Sequence, residues 1–134
     1  MIGPRKSGLT LIAVVDDDAS IRLATDSLLR SRGYTVRTFA SAGDFLQSAE
    51  LNETSCVITD VRMPVMGGVE LQALLRAKGW TVPFIFVTAF PEGVVRTQAM
   101  KGGATCFLTK PFDALTLIRY VETALATHRN PPGT

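Results

Sequence analysis

Cys56-Val57-Ile58-Thr59-Asp60-Val61-Arg62-Met63-Pro64 decides how the rest of the chain is read. The first four residues favour a buried strand, and Pro64, with no amide hydrogen to donate, forbids that strand to continue. A single aspartate, Asp60, therefore stands at the C-terminal end of a buried strand. Burying a carboxylate is costly, because desolvation disfavours its charged form. A fold tolerates this where the carboxylate is used, and in an open α/β sheet ligands bind in the crevice at the carboxyl ends of the strands.

Similar runs lie on both sides. Leu9 to Val15 is apolar but for Thr10, as in a strand covered on both faces, and Asp16-Asp17-Asp18 ends it. A helix to about Arg32 follows, with Asp18 as N-cap, Ile21, Ala24 and Leu28 at helical spacing, and Gly33 as its stop. Tyr34 to Phe39 reads as the second strand. Ser41 caps a short helix through Ala49 that turns Phe45 and Leu46 inward, and Leu51 to Glu53 form a loop. After Asp60, the turn-rich Met63 to Gly68 leads into a helix from about Val69 to Lys78 that buries Leu71, Leu74 and Leu75, with Gly79 at its end. Pro83 opens a fourth strand, Phe84 to Thr88. A weaker helix over 93–100 is broken by Gly102-Gly103, and the fifth strand is Cys106 to Thr109. Asp113 caps a last helix that buries Leu115, Ile118 and Leu125 and stops before Pro131-Pro132.

Five strands alternating with five helices predict right-handed crossovers and one doubly wound parallel sheet of the α/β class. Residues 1–8 read as a flexible tail, 9–128 as one domain, and 129–134 as a second tail or the start of a linker.

Composition bounds the function. A chain of 134 residues, 46% hydrophobic and 19% charged, fits one globular core. A net charge of +2, with its basic residues scattered, gives no footprint for nucleic acid or an anionic membrane. No apolar run approaches the roughly 18 residues of a membrane span. Arg5-Lys6 ahead of Leu9 to Val15 mimics a signal peptide but lacks a small-residue cleavage site, so a cytoplasmic location is expected. Cys56 and Cys106 both sit in apolar runs and read as buried thiols of a reducing compartment, and His128 reads as solvated.

Polar residues collect at the C-terminal ends of the strands: Asp16-Asp17, Asp60, Thr88 and Thr109-Lys110. In a parallel sheet these ends point the same way. Two carboxylates about 4 Å apart at an effective dielectric near 20 repel by roughly 4 kcal/mol before screening. Lys110 relieves part of this, and a hard divalent cation such as Mg²⁺ or Mn²⁺ relieves more. A carboxylate between such a cation and an ammonium is also a competent nucleophile toward phosphorus, forming an acyl phosphate.

With these residues in place the chain resembles the receiver domains of two-component response regulators. The resemblance rests on Val14-Val15-Asp16-Asp17-Asp18, on Asp60-Val61-Arg62-Met63-Pro64-Val65-Met66-Gly67-Gly68, on Val87-Thr88-Ala89 and on Phe107-Leu108-Thr109-Lys110-Pro111-Phe112. It covers about Leu9 to Thr127, and its wording is closest to receivers of nitrogen-fixation and nodulation regulators, which carry helix-turn-helix output domains. The resemblance implies a flavodoxin-like sheet of order 2-1-3-4-5. In that order Cys56 and Cys106 lie two strand spacings apart, about 9–10 Å, too far for a disulfide.

The resemblance also implies roles. Asp60 accepts a phosphoryl group from a sensor histidine kinase or phosphotransfer protein. Asp17 directly, Asp16 mostly through water, Asp60 and the backbone carbonyl of Arg62 hold Mg²⁺. Thr88 moves its hydroxyl onto a phosphoryl oxygen, Lys110 pairs with another, and Phe107 turns inward as the switch aromatic. Lys110-Pro111 is a cis peptide. The protein is then a regulatory phosphoacceptor rather than an enzyme. Its output is read by a downstream domain, a partner protein or a phosphorylation-dependent homodimer, on the face of the fourth helix, fifth strand and last helix.

Arg62 places a cation at the rim of the site, where its side chain is expected to reach the phosphoryl group. Phe90-Pro91-Glu92-Gly93 makes a stiff connection. Pro131-Pro132-Gly133 reads as the start of a linker, so the chain is either a stand-alone receiver or the N-terminal receiver of a transcription factor. The rivals are an aspartate-nucleophile phosphatase, which generally needs a second acid where Arg62 stands, and a flavodoxin-like ligand-binding domain, which leaves Asp16, Asp17 and Lys110 unexplained.

Overall fold

The computed structural model describes residues 10–89, 101 and 106–129. The expected tail 1–8, the 90–93 connection, the helix over 93–100, the Gly102-Gly103 break and Pro131-Pro132 lie outside those residues, as do the side chains of Cys106 and His128.

The strands are β1 (Leu11–Val15), β2 (Thr35–Phe39), β3 (Thr54–Asp60), β4 (Phe84–Thr88) and β5 (Cys106–Thr109). All pair in parallel in one sheet of order β2-β1-β3-β4-β5, the order the resemblance implies. The described helices are α1 (Ala19–Ser31), α2 (Ala42–Leu46), α3 (Gly68–Ala77) and α4 (Ala114–Arg129), with a single 3₁₀ turn at Leu51–Glu53. Among the described residues no helix is long and apolar enough to cross a membrane.

The two faces of the sheet follow from strand alternation. Ile12, Val14, Cys56, Ile58, Ile85, Val87 and Leu108 point to one side, where they pack on Leu29 of α1 and Leu117, Ile118 and Val121 of α4. Ala13, Val15, Val57, Phe84, Phe86 and Phe107 point to the other, against Phe45 of α2 and Leu71 and Leu75 of α3. Phe84, Phe86 and Phe107 form a row with ring centroids 5.8 and 6.2 Å apart.

The caps fall where the sequence places them. Asp18 accepts from the amides of Ser20 and Ile21, Ser41 from Asp44, and Asp113 from Thr116. Gly33 and Gly79 take positive φ, 88° and 89°, just past the ends of α1 and α3. Three helix expectations are corrected. The inward face of α1 centres on Thr25 and Leu29, and Ala24 is exposed, because a buried threonine interrupts the apolar pattern. In α4, Leu115 is 54% exposed and Leu117 takes the core position instead. Finally α2 ends at Leu46, where the amide of Gln47 closes back on Gly43.

Candidate functional site

The alternation that builds the core also builds the site. Asp16 continues the Ile12-Val14 row, Asp60 the Cys56-Ile58 row, and Lys110 the row of Leu108, so all three extend one face of the sheet past its edge. Val15 pairs with Thr59, which sets Asp16 beside Asp60 as both strands end. Thr88 pairs with Thr109, and Lys110 follows with its amide donating to the Thr88 carbonyl at 2.7 Å. The Lys110-Pro111 bond is cis.

The contacts are direct. The Lys110 ammonium donates to Asp60 Oδ2 at 2.8 Å and to Asp16 Oδ2 at 3.2 Å. The amide of Arg62 donates to Asp60 Oδ1 at 3.0 Å, so each oxygen of that carboxylate is held by one donor. The amide of Asp18 donates to Asp16 Oδ1 at 2.9 Å. Side-chain exposure is 4% at Asp16, 12% at Asp60 and 16% at Lys110, while Asp17 stands out in solvent.

This burial sets the electrostatics. Desolvation pushes the Asp16 carboxyl above its ordinary range, aided by the nearby Asp60 charge and opposed by the Asp18 amide and Lys110. Burial alone would lower Lys110, but its bond to Asp60 and the charges of Asp16 and Asp60 outweigh that and raise it. The ammonium therefore stays charged at neutral pH.

One carboxylate oxygen from each of Asp16, Asp17 and Asp60 lies within 4.8 Å of the others. Three hard oxygen donors at that spacing, open to solvent on the Asp17 side, suit a small divalent cation that keeps part of its water shell. Beneath the acids a space of about 10 Å³, bordered by Ile21, Thr25 and Phe112, has room for about one water.

The structure thus brings together Asp16, Asp17, Asp60 and Lys110, with the Arg62 backbone beside Asp60. Thr88 is buried, 1% exposed, and by alternation lies on the side of Phe86. Phe107 is 9% exposed and already turned into the core on that same side. The Arg62 side chain is exposed.

Two features escape the sequence reading. Arg22 Nη1 donates to the carbonyl of Asp16 at 2.7 Å, reaching back from the second turn of α1. Gly67 and Gly68 are more than turn residues, since a Cβ on Gly67 would overlap the Val61 carbonyl oxygen and one on Gly68 the Asp60 carbonyl oxygen. The loop between β3 and α3 closes against the end of β3 only because both lack side chains.

Comparison with known proteins agrees with this fold. Residues 12–122 match the family model described as the response regulator receiver domain. The chain is 39% identical over 129 residues to the transcriptional regulatory protein TdiR of Thauera aromatica, covering 96% of this chain and 57% of that protein. It is 39% identical over 119 residues to nodulation protein W of Bradyrhizobium diazoefficiens, covering 89% of this chain and 52% of that protein. The crystal structure of FixJ-N superimposes with a TM-score of 0.78 at 32% identity, over 87% of this chain and 94% of that one. The chain spans about half the length of the curated relatives it matches.

Proposed function

The chain belongs to the response regulator receiver domain family, and on that premise we propose that Asp60 is its phosphoacceptor and that phosphorylation there switches the contacts of the domain. The observation that carries this reading is the bridge from Lys110 to Asp60 and Asp16 at 2.8 and 3.2 Å, with Asp17 completing the acid cluster.

In the proposed reaction an Asp60 oxygen forms a bond to phosphorus while the bond to the donor's leaving group breaks. With a sensor histidine kinase or phosphotransfer protein as donor, the leaving group is an imidazole nitrogen. Lys110 and the Arg62 amide hold the carboxylate for attack, and the ammonium remains to pair with a phosphoryl oxygen. Asp16, Asp17, Asp60 and the Arg62 carbonyl would hold Mg²⁺ or Mn²⁺, which supplies charge neutralisation for the phosphoryl oxygens. Thr88 then carries its hydroxyl toward the phosphoryl group, and Phe107, already packed inward beside Phe86, shifts further into the space Thr88 leaves.

The change would be read on the face built on β5 and α4 by an output domain, a partner protein or a second copy. Two relatives are named as a transcriptional regulator and a nodulation protein, and this chain spans about half of each. That favours a receiver that governs an attached output domain in the cytoplasm, with no direct nucleic-acid contact of its own.

The test is intact-mass spectrometry after incubation with acetyl phosphate and Mg²⁺. One phosphoryl group should appear on the wild type, be removed by hydroxylamine, and be absent from Asp60→Asn. A wild-type mass that does not change, or an equal gain in Asp60→Asn, would overturn the assignment.

A further inference from the structure

We infer that Arg22 is a positioning residue for the divalent-cation site, acting through the peptide group that joins Asp16 to Asp17. The inference rests on the reading that Asp17 is a metal ligand.

Asp17 is exposed, so no packing fixes its carboxylate. Its direction is inherited from the backbone, above all from the plane of the Asp16–Asp17 peptide. The carbonyl end of that plane accepts a 2.7 Å bond from Arg22 Nη1. The turn is anchored before and after this point as well. The amide of Asp16 donates to the Phe39 carbonyl at 3.0 Å, and the amide of Asp18 to Asp16 Oδ1 at 2.9 Å. Asp18 in turn caps α1, and its carbonyl accepts from the amide of Arg22 itself at 3.0 Å. Arg22 therefore closes a loop: its backbone is fixed by Asp18, and its side chain returns to fix the residue two before Asp18.

A charged donor to a carbonyl is among the stronger hydrogen bonds. Groups that orient ligands in this way typically change metal affinity by 10–100-fold when removed. Arg22 is also a cation beside a cation site, and as a bare charge it would weaken Mg²⁺ binding. The two roles predict changes of opposite sign, which makes them separable.

The experiment is a Mg²⁺ titration followed by amide chemical shifts on the wild type, Arg22→Met and Arg22→Lys, with thermal melts alongside. We expect Arg22→Met to bind Mg²⁺ about tenfold more weakly. Arg22→Lys, which keeps the charge and one donor, should recover part of the loss. Unchanged or tighter binding in Arg22→Met overturns the inference, as does an Arg22→Lys that binds no better than Arg22→Met. A lowered melting temperature with unchanged Mg²⁺ affinity likewise overturns it, since it reduces Arg22 to a structural contact. Should Arg22→Met not fold, Arg22→Lys decides: weakened affinity supports the inference and wild-type affinity overturns it. A wild type that binds no Mg²⁺ at these acids overturns the metal site and the inference together, whereas normal wild-type binding with an indifferent Arg22 overturns the inference alone.

Discussion

Lys110 Nζ lies 2.8 Å from Asp60 Oδ2, joining the residue just past β5 to the end of β3 across the intervening β4. The same ammonium reaches Asp16 at 3.2 Å. One cation thus offsets two mostly buried carboxylates that strand pairing forces side by side.

Removing that cation has a definite signature. Lys110→Met leaves Asp16 and Asp60 buried without their shared counter-charge, so the metal-free protein should lose about 2 kcal/mol. Mg²⁺ should restore more of this loss than it adds to the wild type, because a bound divalent cation takes over the missing neutralisation. Denaturant melts with EDTA and with Mg²⁺ check both statements. Equal stabilisation of the two proteins by Mg²⁺ would contradict them.

Asp16 gives a pH dependence of known sign. Burial raises its pKa above 3.8, so the folded chain holds that proton more tightly than the unfolded chain does. Its contribution to stability is fully present below pH 3.8 and is lost as pH rises through the raised value. In EDTA at neutral pH, Asp16→Asn should therefore melt a few degrees higher than the wild type, and the difference should vanish toward acid. The same variant should bind Mg²⁺ more weakly. Melting curves across pH, with and without Mg²⁺, test the crossover.

Gly68 carries a steric prediction. A Cβ there meets the Asp60 carbonyl oxygen, and it also lies 3.0 Å from both Phe86 Cε1 and Thr59 Cγ2. Two of these neighbours are backbone and buried ring, which cannot swing aside. Gly68→Ala should cost about 2–3 kcal/mol, measured by urea unfolding. Gly33→Ala meets nothing within 4 Å, and its smaller loss comes from φ alone, about 1 kcal/mol.

Arg62 carries a prediction for the lifetime of the proposed acyl phosphate. Its backbone is tied to Asp60 Oδ1 at 3.0 Å, so its exposed side chain starts from the rim of the site. A guanidinium paired with the phosphoryl oxygens stabilises the acyl phosphate and obstructs incoming water. Arg62→Ala should shorten the lifetime roughly fivefold, equivalent to about 1 kcal/mol. Loss of phosphoryl mass with time gives the rate, and an unchanged rate would set the side chain outside the mechanism.

The strands and the acids were readable in the sequence for the same reason. Runs such as Leu11–Val15 and residues 84–87 are apolar throughout because helices cover both faces, and a polar or charged residue that ends such a run has only the sheet edge to occupy. The helix faces were less readable. Apolar spacing missed Thr25, which is buried although polar, and took Leu115 for a core residue when Leu117 fills that place. Arg22 was invisible because its partner is a backbone carbonyl, which leaves no mark on residue identity. The steric demand on Gly67 and Gly68 was equally hidden, since it depends on how closely the loop approaches β3.

The central claim, that Asp60 accepts a phosphoryl group and thereby switches the domain, is tested most directly by amide NMR during a beryllofluoride titration at constant, saturating Mg²⁺. Beryllofluoride stands in for the phosphoryl group on a carboxylate. The account predicts saturable shifts in the wild type at Asp16, Asp17, Asp60, Thr88 and Lys110, extending along β5 into α4, and none of them in Asp60→Asn. Equal shifts in both proteins, or a wild type that does not respond, would contradict it.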